Sequence, residues 1–164
     1  QVGDNASLSI TGALTVAAWY QYQGDPGRWG RIACKAWDSA TAPWVAYALQ
    51  LDGGTPGVSQ KAFFATGLSS TQSSSVASTT TLTLGQWYHL AGVYDPAAGR
   101  IAIYVNGVKE AEALTGNSSI KDTGGAFRIG HDWATGAGVK GVIDEVRVYN
   151  RALLASEIQA LAVP

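Results

Sequence analysis

The sequence predicts an all-β fold, a two-sheet antiparallel jelly-roll sandwich with one short helical turn at its C-terminus. The chain of 164 residues is 46% hydrophobic and only 14% charged, with 20 glycines and no methionine. Apolar runs of strand length recur along it between short turn signals, and only the last residues favour a helix. We therefore expect residues 1–164 to form a single domain with a sizeable core.

The first half of the chain contains strand-like runs that are rich in Val, Thr, Tyr and Trp, residues that favour strands. We expect strands at Ser7–Ile10, Leu14–Tyr22, Arg28–Lys35, Val45–Leu51 and Lys61–Thr66. The Ser/Thr-rich segment Ser69–Thr83 is interpreted as a loop with an edge strand, because strong strand patterns resume directly after it.

The clearest pattern is a three-stranded meander at Gln86–Tyr94, Arg100–Val105 and Val108–Ala113. Asn106-Gly107 joins the last two runs, and this pair indicates a type I′ hairpin turn because both residues tolerate positive φ. Further strands at Ala126–Gly130 and Val142–Tyr149 and a short helix at Leu153–Leu161 complete the prediction.

Strict alternation along the last predicted strand places a carboxylate on an apolar face, which consists of Val142, Asp144, Val146 and Val148. If that face belongs to the core, Asp144 must be paired, hydrogen-bonded or metal-bound, because burying a bare carboxylate is too costly. Glu145 then points to the opposite face. Because no carboxylate partner lies on the same face, we interpret Asp144 as a structural anchor and not as a catalytic group.

Charge and composition exclude several classes of partner. The 11 basic and 12 acidic residues nearly balance and form no basic patch, which argues against nucleic acid and anionic membranes. No apolar run reaches the roughly 18–20 residues of a membrane span, so no membrane insertion is expected. Cys34 is the only cysteine and is interpreted as a buried core thiol. Because the chain starts at Gln1, we expect it to be part of a larger multidomain polypeptide.

Several motifs occur together and in order along the chain. QWYHLAGVYD at residues 86–95 resembles the W-x-H-x-A-x-x-Y-D strand of laminin-G-like domains, and IAIYVNG at 101–107 resembles their Y-V-N-G hairpin. FRIG at 127–130 and GVIDEVRVYNRAL at 141–153 resemble their closing strands, and LTVAAW at 14–19 resembles an early one. The chain is thus similar to the bacterial laminin-G-like branch of the concanavalin A-like jelly rolls.

This resemblance implies an accessory module of a secreted or cell-surface bacterial protein, often attached to a polysaccharide-degrading enzyme. Many such modules bind carbohydrate or act in adhesion, and several carry a structural calcium ion.

Asp4, Asn5 and Asp144 are the candidate calcium ligands, since calcium prefers carboxylate and amide oxygens. The resemblance also implies that the Asp144 strand closes the sandwich next to the N-terminal strand. We therefore expect Asp144 to tie the two chain ends together, through calcium or through backbone N–H groups. The family's opening F-D-G-x-x-D-Y-V strand would stand just before Gln1 and is expected to be missing or cut short. If the family's calcium ligands lie partly on that strand, this chain would lack them. Leu154 also stands where relatives often carry Ser.

Catalysis is not expected, although related folds include glycoside hydrolases. Such hydrolases need two carboxylates roughly 5–9 Å apart. Asp144 and Glu145 are adjacent and predicted to face opposite ways, and Glu110 and Glu112 are interpreted as solvated edge charges. His89 is expected to be structural. His131 precedes Asp132, but nothing nearby resembles an activated serine.

A glycan would bind through aromatic side chains, which stack on the flat faces of sugar rings beside polar groups. Trp19 and Trp87 lie inside predicted strands and are assigned to the core. The candidate ligand-binding residues lie in loops and comprise Arg28, Trp29, Trp37, Asp38, Trp44, His131, Asp132 and Trp133. We expect a shallow site formed by the 24–44 region and the 131–139 loop.

The sequence favours a non-catalytic carbohydrate-binding module with a polysaccharide or glycan as partner. A protein-binding or adhesion module and a structural spacer, both without glycan affinity, are the alternatives. The tryptophans in loops favour glycan binding over a spacer role. Nothing in the sequence separates glycan binding from protein binding.

Overall fold

The computed structural model describes residues 1–26, 29–36, 45–52, 60–69, 72–116, 118–131 and 138–163. Ten strands and one helix occupy this part of the chain. The strands are β1 (Leu14–Tyr22), β2 (Arg31–Ala36), β3 (Val45–Leu51), β4 (Lys61–Gly67), β5 (Ser73–Thr81), β6 (Trp87–Asp95), β7 (Arg100–Val105), β8 (Val108–Leu114), β9 (Phe127–Ile129) and β10 (Gly141–Tyr149). The helix is α1 (Ala155–Leu161).

The strands form two antiparallel five-stranded sheets that stack face to face. Sheet I has the order β10-β1-β6-β7-β8, and sheet II has the order β5-β4-β3-β2-β9. This arrangement confirms the predicted jelly-roll sandwich with its single short C-terminal helix. We call the face of each sheet that points away from the other sheet its outer face.

The core lies between the sheets and follows the period-2 pattern of the strands. In β1 the inward side chains include Leu14, Val16 and Tyr20, all fully buried. The facing side chains of sheet II in the same core are also fully buried, among them Tyr47, Leu49, Leu51 and Phe64. Because both inner faces are apolar, burial of this layer holds the two sheets together.

The helix covers part of the outer face of sheet I. Ile158 of α1 and Leu153 before it pack on Ala91 of β6 and Tyr104 of β7. Thr15 of β1 fastens this segment, because its hydroxyl donates to the Arg151 carbonyl at 2.9 Å and accepts the Leu153 N–H at 3.0 Å. The C-terminal segment therefore has a fixed position on the sheet.

Leu154 occupies the N-cap position of α1 and has no side-chain oxygen with which to cap it. Glu157 forms the reverse contact of a capping box, since its carboxylate accepts the Leu154 N–H at 2.8 Å and pairs with both terminal nitrogens of Arg151. These bonds lower the pKa of Glu157 to about 2, with the Arg151 bond the largest cause. The Glu157 N–H, which a Ser side chain at the N-cap could accept, donates instead to the Leu154 carbonyl at 3.0 Å.

Two local predictions have opposite outcomes. Asn106 and Gly107 both have positive φ, 50° and 79°, as a type I′ turn requires, so the predicted hairpin is confirmed. The predicted strand Ser7–Ile10 is wrong. Asn5 Oδ1 accepts the Ser7 N–H at 2.9 Å, and this Asx turn bends the chain where a strand was expected.

Strand β10 contains a bulge that changes the predicted faces. Ala17 of β1 pairs with Arg147 and Trp19 pairs with Asp144, so two β10 residues lie opposite Ala18. Glu145 occupies the bulge with φ of 51°, a left-handed conformation uncommon for a residue other than glycine.

The bulge reverses the side-chain phase along β10. Ile143 packs against the core before it, and Val146 and Val148 pack against the core after it. Val142 is 45% exposed and Asp144 is exposed as well. The predicted apolar face with a buried Asp144 is therefore wrong, because strict alternation does not continue through an extra residue.

Candidate functional site

The outer face of sheet II carries a row of small side chains. Cross-strand pairing places Cys34 of β2 between Ala48 of β3 and Arg128 of β9, and Ala48 beside Ala65 of β4. Cys34, Ala48 and Val45 form a buried cluster that is separate from the main core. Cys34 is buried as predicted, but on this outer face and not between the sheets.

A second row on the same face combines polar and aromatic groups. Arg31 of β2 opposes Gln50 of β3, which opposes Phe63 of β4. Gln50 is only 3% exposed, and its Oε1 atom has no hydrogen-bond partner within the described ranges. A buried amide oxygen of this kind is costly unless something else bonds to it.

Trp29 lies over this second row. Its ring packs on Phe63 with centroids 5.2 Å apart and planes tilted by 53°. The side chain keeps 37% of its surface exposed. One part of the indole is therefore anchored on sheet II, and another part is open to a ligand.

The structure brings two predicted ligand-binding residues to this face. Trp29 is the first, and His131 follows β9 with its carbonyl oxygen 3.9 Å from Cys34 Sγ. The remaining candidates lie outside the described residues, namely Arg28, Trp37, Asp38, Trp44, Asp132 and Trp133. For those six residues the site assignment stays a prediction.

The candidate calcium ligands do not come together. Asp4 Oδ1 accepts from the buried Lys35 ammonium at 2.6 Å, which lowers the pKa of Asp4. Asn5 uses its side-chain oxygen in the turn with Ser7, and Asp144 faces outward from sheet I. No group of three or more His, Cys, Asp or Glu residues suited to a metal occurs in the described part of the chain.

These three residues therefore do not fit one calcium site, because an ammonium group already balances Asp4 and Asp144 lies elsewhere. Calcium binding by the chain stays a prediction, which thermal melts with EDTA and with added calcium would check.

The predicted link between the chain ends through Asp144 is wrong. Asp144 Oδ1 accepts the N–H of its own neighbour Glu145 at 2.8 Å. The N-terminal segment pairs with sheet II instead, where Val2 forms a bridge with Phe127. Lys35 fastens this segment through Asp4 and also donates to the Gly125 carbonyl at 2.8 Å.

A groove that sequence reasoning missed lies on the outer face of sheet I. It has a volume of about 660 Å³ and is lined by Trp19, Trp87, Asp144, Glu145, Arg147, Ala160, Leu161 and Val163. The assignment of Trp19 and Trp87 to the core is wrong, since both line this groove and Trp87 is 41% exposed.

The sequence contained a signal for this placement. Alternation in β1 puts Trp19 on the same face as Thr15 and Gln21, opposite the fully apolar face of Val16 and Tyr20. A tryptophan on the mixed face of a strand is better assigned to the outer face. The family motif instead places this tryptophan in the core, and the structure shows that alternation is the better guide here.

Ion pairing and burial set the charges around the groove. Glu145 bonds to Arg147, and this bond is the largest cause of the raised pKa of Arg147. Behind Trp19 lies His89, whose ring makes an edge contact with the indole at 5.5 Å. Burial lowers the pKa of His89 to about 4, and the nearby Arg147 adds to this effect.

The structure resembles carbohydrate-binding domains of solved proteins. The CBM40 domain of the Ruminococcus gnavus IT-sialidase, bound to α2,3-sialyllactose, matches with a TM-score of 0.74 and 13% identity, covering 96% of this chain and 85% of that one. Domain 4 of AbnA, an extracellular GH43 arabinanase from Geobacillus stearothermophilus solved with arabinotriose, has a TM-score of 0.66 and 23% identity, covering 94% and 69%. At these identities the likeness shows the fold alone.

A third match extends beyond the region shared with this chain. A putative carbohydrate-binding protein from Bacteroides ovatus has a TM-score of 0.70 and 22% identity, covering 91% of this chain but only 40% of that one. No curated protein sequence matches the chain. None of the helices in the described ranges is long and apolar enough to cross a membrane.

Family membership rests on a match that spans almost the whole sequence. The family model Laminin_G_3, described as the concanavalin A-like lectin/glucanases superfamily, matches residues 1–159. The two stacked five-stranded sheets are the architecture that this match requires. The chain therefore belongs to the laminin-G-like family of the concanavalin A-like lectin/glucanase superfamily.

Proposed function

We propose that this chain is a non-catalytic carbohydrate-binding module of a secreted or cell-surface protein, and that it forms part of a larger polypeptide. We centre its glycan site on Trp29 at the outer face of sheet II, and the predicted loop residues remain candidates for the same site.

The half-exposed Trp29 is the observation that carries this proposal. Its indole is held against Phe63 with centroids 5.2 Å apart, and 37% of its surface stays open to solvent. Its neighbour Phe63 pairs with Gln50 across the strands, and within the described residues this end of sheet II lies next to the predicted loop residues only through Trp29. An exposed indole suits a sugar, because sugar rings offer flat C–H faces on which an aromatic ring can stack.

The solved relatives support the same class of ligand. Two of the domains of this fold were solved with saccharides, α2,3-sialyllactose in one and arabinotriose in the other. Because the identities are low, they support the class of ligand and not the sugar itself.

A non-catalytic role is supported by the distribution of carboxylates. No Asp or Glu occurs among the described residues that cross-strand pairing assigns to the outer face of sheet II: Arg31, Cys34, Ala48, Gln50, Phe63, Ala65, Ser75, Ala77 and Arg128. Asp144 and Glu145 share the groove of sheet I, but Glu145 is paired with Arg147. Glycoside hydrolysis by the usual route needs two available carboxylates.

Glycan binding is tested first on an array, with heat-denatured protein as the blank, and then by calorimetry. α2,3-Sialyllactose, arabinotriose and the strongest array ligand serve as probes. We expect Trp29→Ala to weaken binding of the array ligand about tenfold, which corresponds to about 1.4 kcal/mol. Trp37→Ala and Trp133→Ala test the loop residues in the same assay.

Leu114→Ala is the matched control, because Leu114 is 78% exposed on edge strand β8 of the other sheet. Its affinity should equal that of the unmodified chain. If no glycan on the array binds the folded protein above the denatured blank, the proposal fails and protein binding or a spacer role takes its place.

A further inference from the structure

The groove on the outer face of sheet I has the composition of a ligand site, and it is separate from the sheet II site. We propose that it is a second saccharide site, which takes a sugar ring that is neutral or carries an amine and rejects sugars that carry a carboxylate. The inference does not depend on glycan binding at sheet II. With both sites, the module would hold two sugar chains on opposite outer faces.

Two indoles form the aromatic wall of this groove. Trp19 opposes His89 and Gln21 opposes Trp87 in the pairing of β1 with β6, so the two tryptophans are diagonal neighbours on one face. Such neighbours lie about 7–8 Å apart, which is within reach of large aromatic side chains. Trp19 is braced by the edge contact with His89, and Trp87 is 41% exposed.

The β10 bulge supplies the polar wall. Without it, Asp144 and Glu145 would point to opposite faces of sheet I, whereas both line the groove. The cost is the left-handed φ of 51° at Glu145, and strained conformations of this kind concentrate at functional sites. The strain has no evident packing benefit, since Glu145 is exposed and pairs only with the exposed Arg147 in the described part of the chain.

Charge in the groove determines which sugars fit. Asp144, Glu145 and Arg147 together carry one net negative charge at neutral pH. Asp144 uses one carboxylate oxygen for the Glu145 N–H, and its other oxygen has no bond within the described ranges, so it can accept from a hydroxyl or an ammonium group. A ligand carboxylate would meet like charge and lose affinity.

The third wall of the groove and its volume also suit a sugar ring. The end of α1 contributes Ala160 and Leu161, and Val163 follows them, so this side of the groove is apolar. A volume of about 660 Å³ lies within the usual range for small-molecule sites. A sugar ring on Trp87 would meet apolar and polar walls at once.

The test uses the full chain with ¹⁵N-labelled tryptophan, so that each indole N–H gives one NMR signal. Trp19→Phe and Trp87→Phe assign the two groove signals. The probes are xylohexaose (neutral), the glucosamine hexasaccharide (amine-bearing) and hexagalacturonic acid (acidic). We expect saturable shifts of the Trp19 and Trp87 signals with the first two probes and none with the third.

Asp144→Asn tests the charge argument. We expect it to weaken binding of the glucosamine hexasaccharide about tenfold and that of xylohexaose much less, because a carboxamide still accepts a hydroxyl hydrogen bond. Glu112→Gln is the control, since it removes the same charge from β8 of the same sheet without touching the groove. Unchanged melting temperatures would show that both variants fold.

The proposal is overturned if neither neutral nor amine-bearing hexasaccharide shifts the groove indoles, or if the acidic probe shifts them equally. Trp29→Ala separates the two sites, because it should weaken binding at sheet II about tenfold and leave the Trp87 shifts intact. Shifts confined to the Trp29 signal would support the sheet II site alone.

Discussion

At the scale of single residues, three ionisable side chains illustrate how this fold handles buried charge. Lys35 is 1% exposed, and its ammonium group donates to Asp4 at 2.6 Å and to the Gly125 carbonyl at 2.8 Å. Glu110, predicted to be a solvated edge charge, accepts from the backbone and hydroxyls of Thr79 and Thr80. Burial would raise the pKa of Glu110, but these bonds outweigh it and lower the pKa.

His89 is also buried, but unlike Glu110 it has a pKa shifted toward the neutral form. It is 2% exposed, and its Nδ1 atom has no hydrogen-bond partner within the described ranges. Burial lowers its pKa from 6.5 to about 4, with a smaller contribution from Arg147. The neutral ring is thus the form that the folded chain prefers.

Acid should therefore destabilise the chain through His89. Below pH 6.5 the unfolded chain takes up a proton at this histidine, whereas the folded chain does so only near pH 4. Stability should fall as the pH drops between these values, by at most about 3 kcal/mol, and this contribution should level off below them.

Denaturant unfolding at pH 7.0 and at pH 4.5 measures the effect. His89→Phe keeps an aromatic ring against Trp19 and should reduce the loss of stability between the two pH values. His131→Asn should not, because His131 is exposed and is the only other histidine. Equal pH dependence in wild type and His89→Phe would contradict the assignment.

At the scale of elements, β10 shows how one extra residue changes the chemistry of a strand. The bulge opposite Ala18 turns Val142 and Asp144 outward and returns Val146 and Val148 to the core. The bulge depends on Glu145 holding a conformation that glycine adopts without strain. The free-energy cost of the left-handed backbone at Glu145 can therefore be measured by substituting this one residue.

Glu145→Gly and Glu145→Ala form a matched pair for this measurement. Both remove the exposed ion pair with Arg147, and only glycine relieves the strain of a φ of 51°. We expect the glycine variant to be more stable than the alanine variant by about 1 kcal/mol in urea unfolding. An alanine variant of equal or greater stability would show that the backbone at the bulge is not strained.

At the scale of the whole molecule, the sandwich depends on close approach of the two sheets. Gly92 of β6 faces Phe64 of β4 across the core, and a Cβ atom at Gly92 would lie 2.1 Å from the Phe64 ring. Buried tyrosines brace the periphery, since Tyr20, Tyr47 and Tyr94 donate to the carbonyls of Lys140, Leu8 and Ser118. The distance between the sheets is thus set at this point by the Phe64 ring, which packs directly on the backbone of Gly92.

Gly92→Ala should force the sheets apart or the Phe64 ring aside, at a cost of about 3 kcal/mol. Gly12→Ala is the control, because a Cβ atom there has nothing within 4 Å. Both are compared by urea unfolding.

Combining Gly92→Ala with Phe64→Leu keeps the test valid if the single variant fails to fold. We expect the double variant to recover part of the stability lost by Gly92→Ala, because leucine leaves room for the new methyl group. Additive losses would contradict the contact.

Local patterns along the chain account for most of the fold. Period-2 alternation and turn residues such as Asn106-Gly107 are local properties, so all ten strands, the hairpin and the short helix could be placed without tertiary information. The order of the motifs was enough to suggest the family, which the match over residues 1–159 then confirmed.

Tertiary structure alone decided which side chains meet. The β10 bulge arises from its register against β1, so local alternation could not show that Asp144 and Glu145 share a face with Trp19. Lys35 meets Asp4 across 31 positions of sequence, and no pattern along the chain encodes that contact. Faces and long-range pairs depend on how strands align and stack, and this is why the groove on sheet I emerged only from the folded molecule.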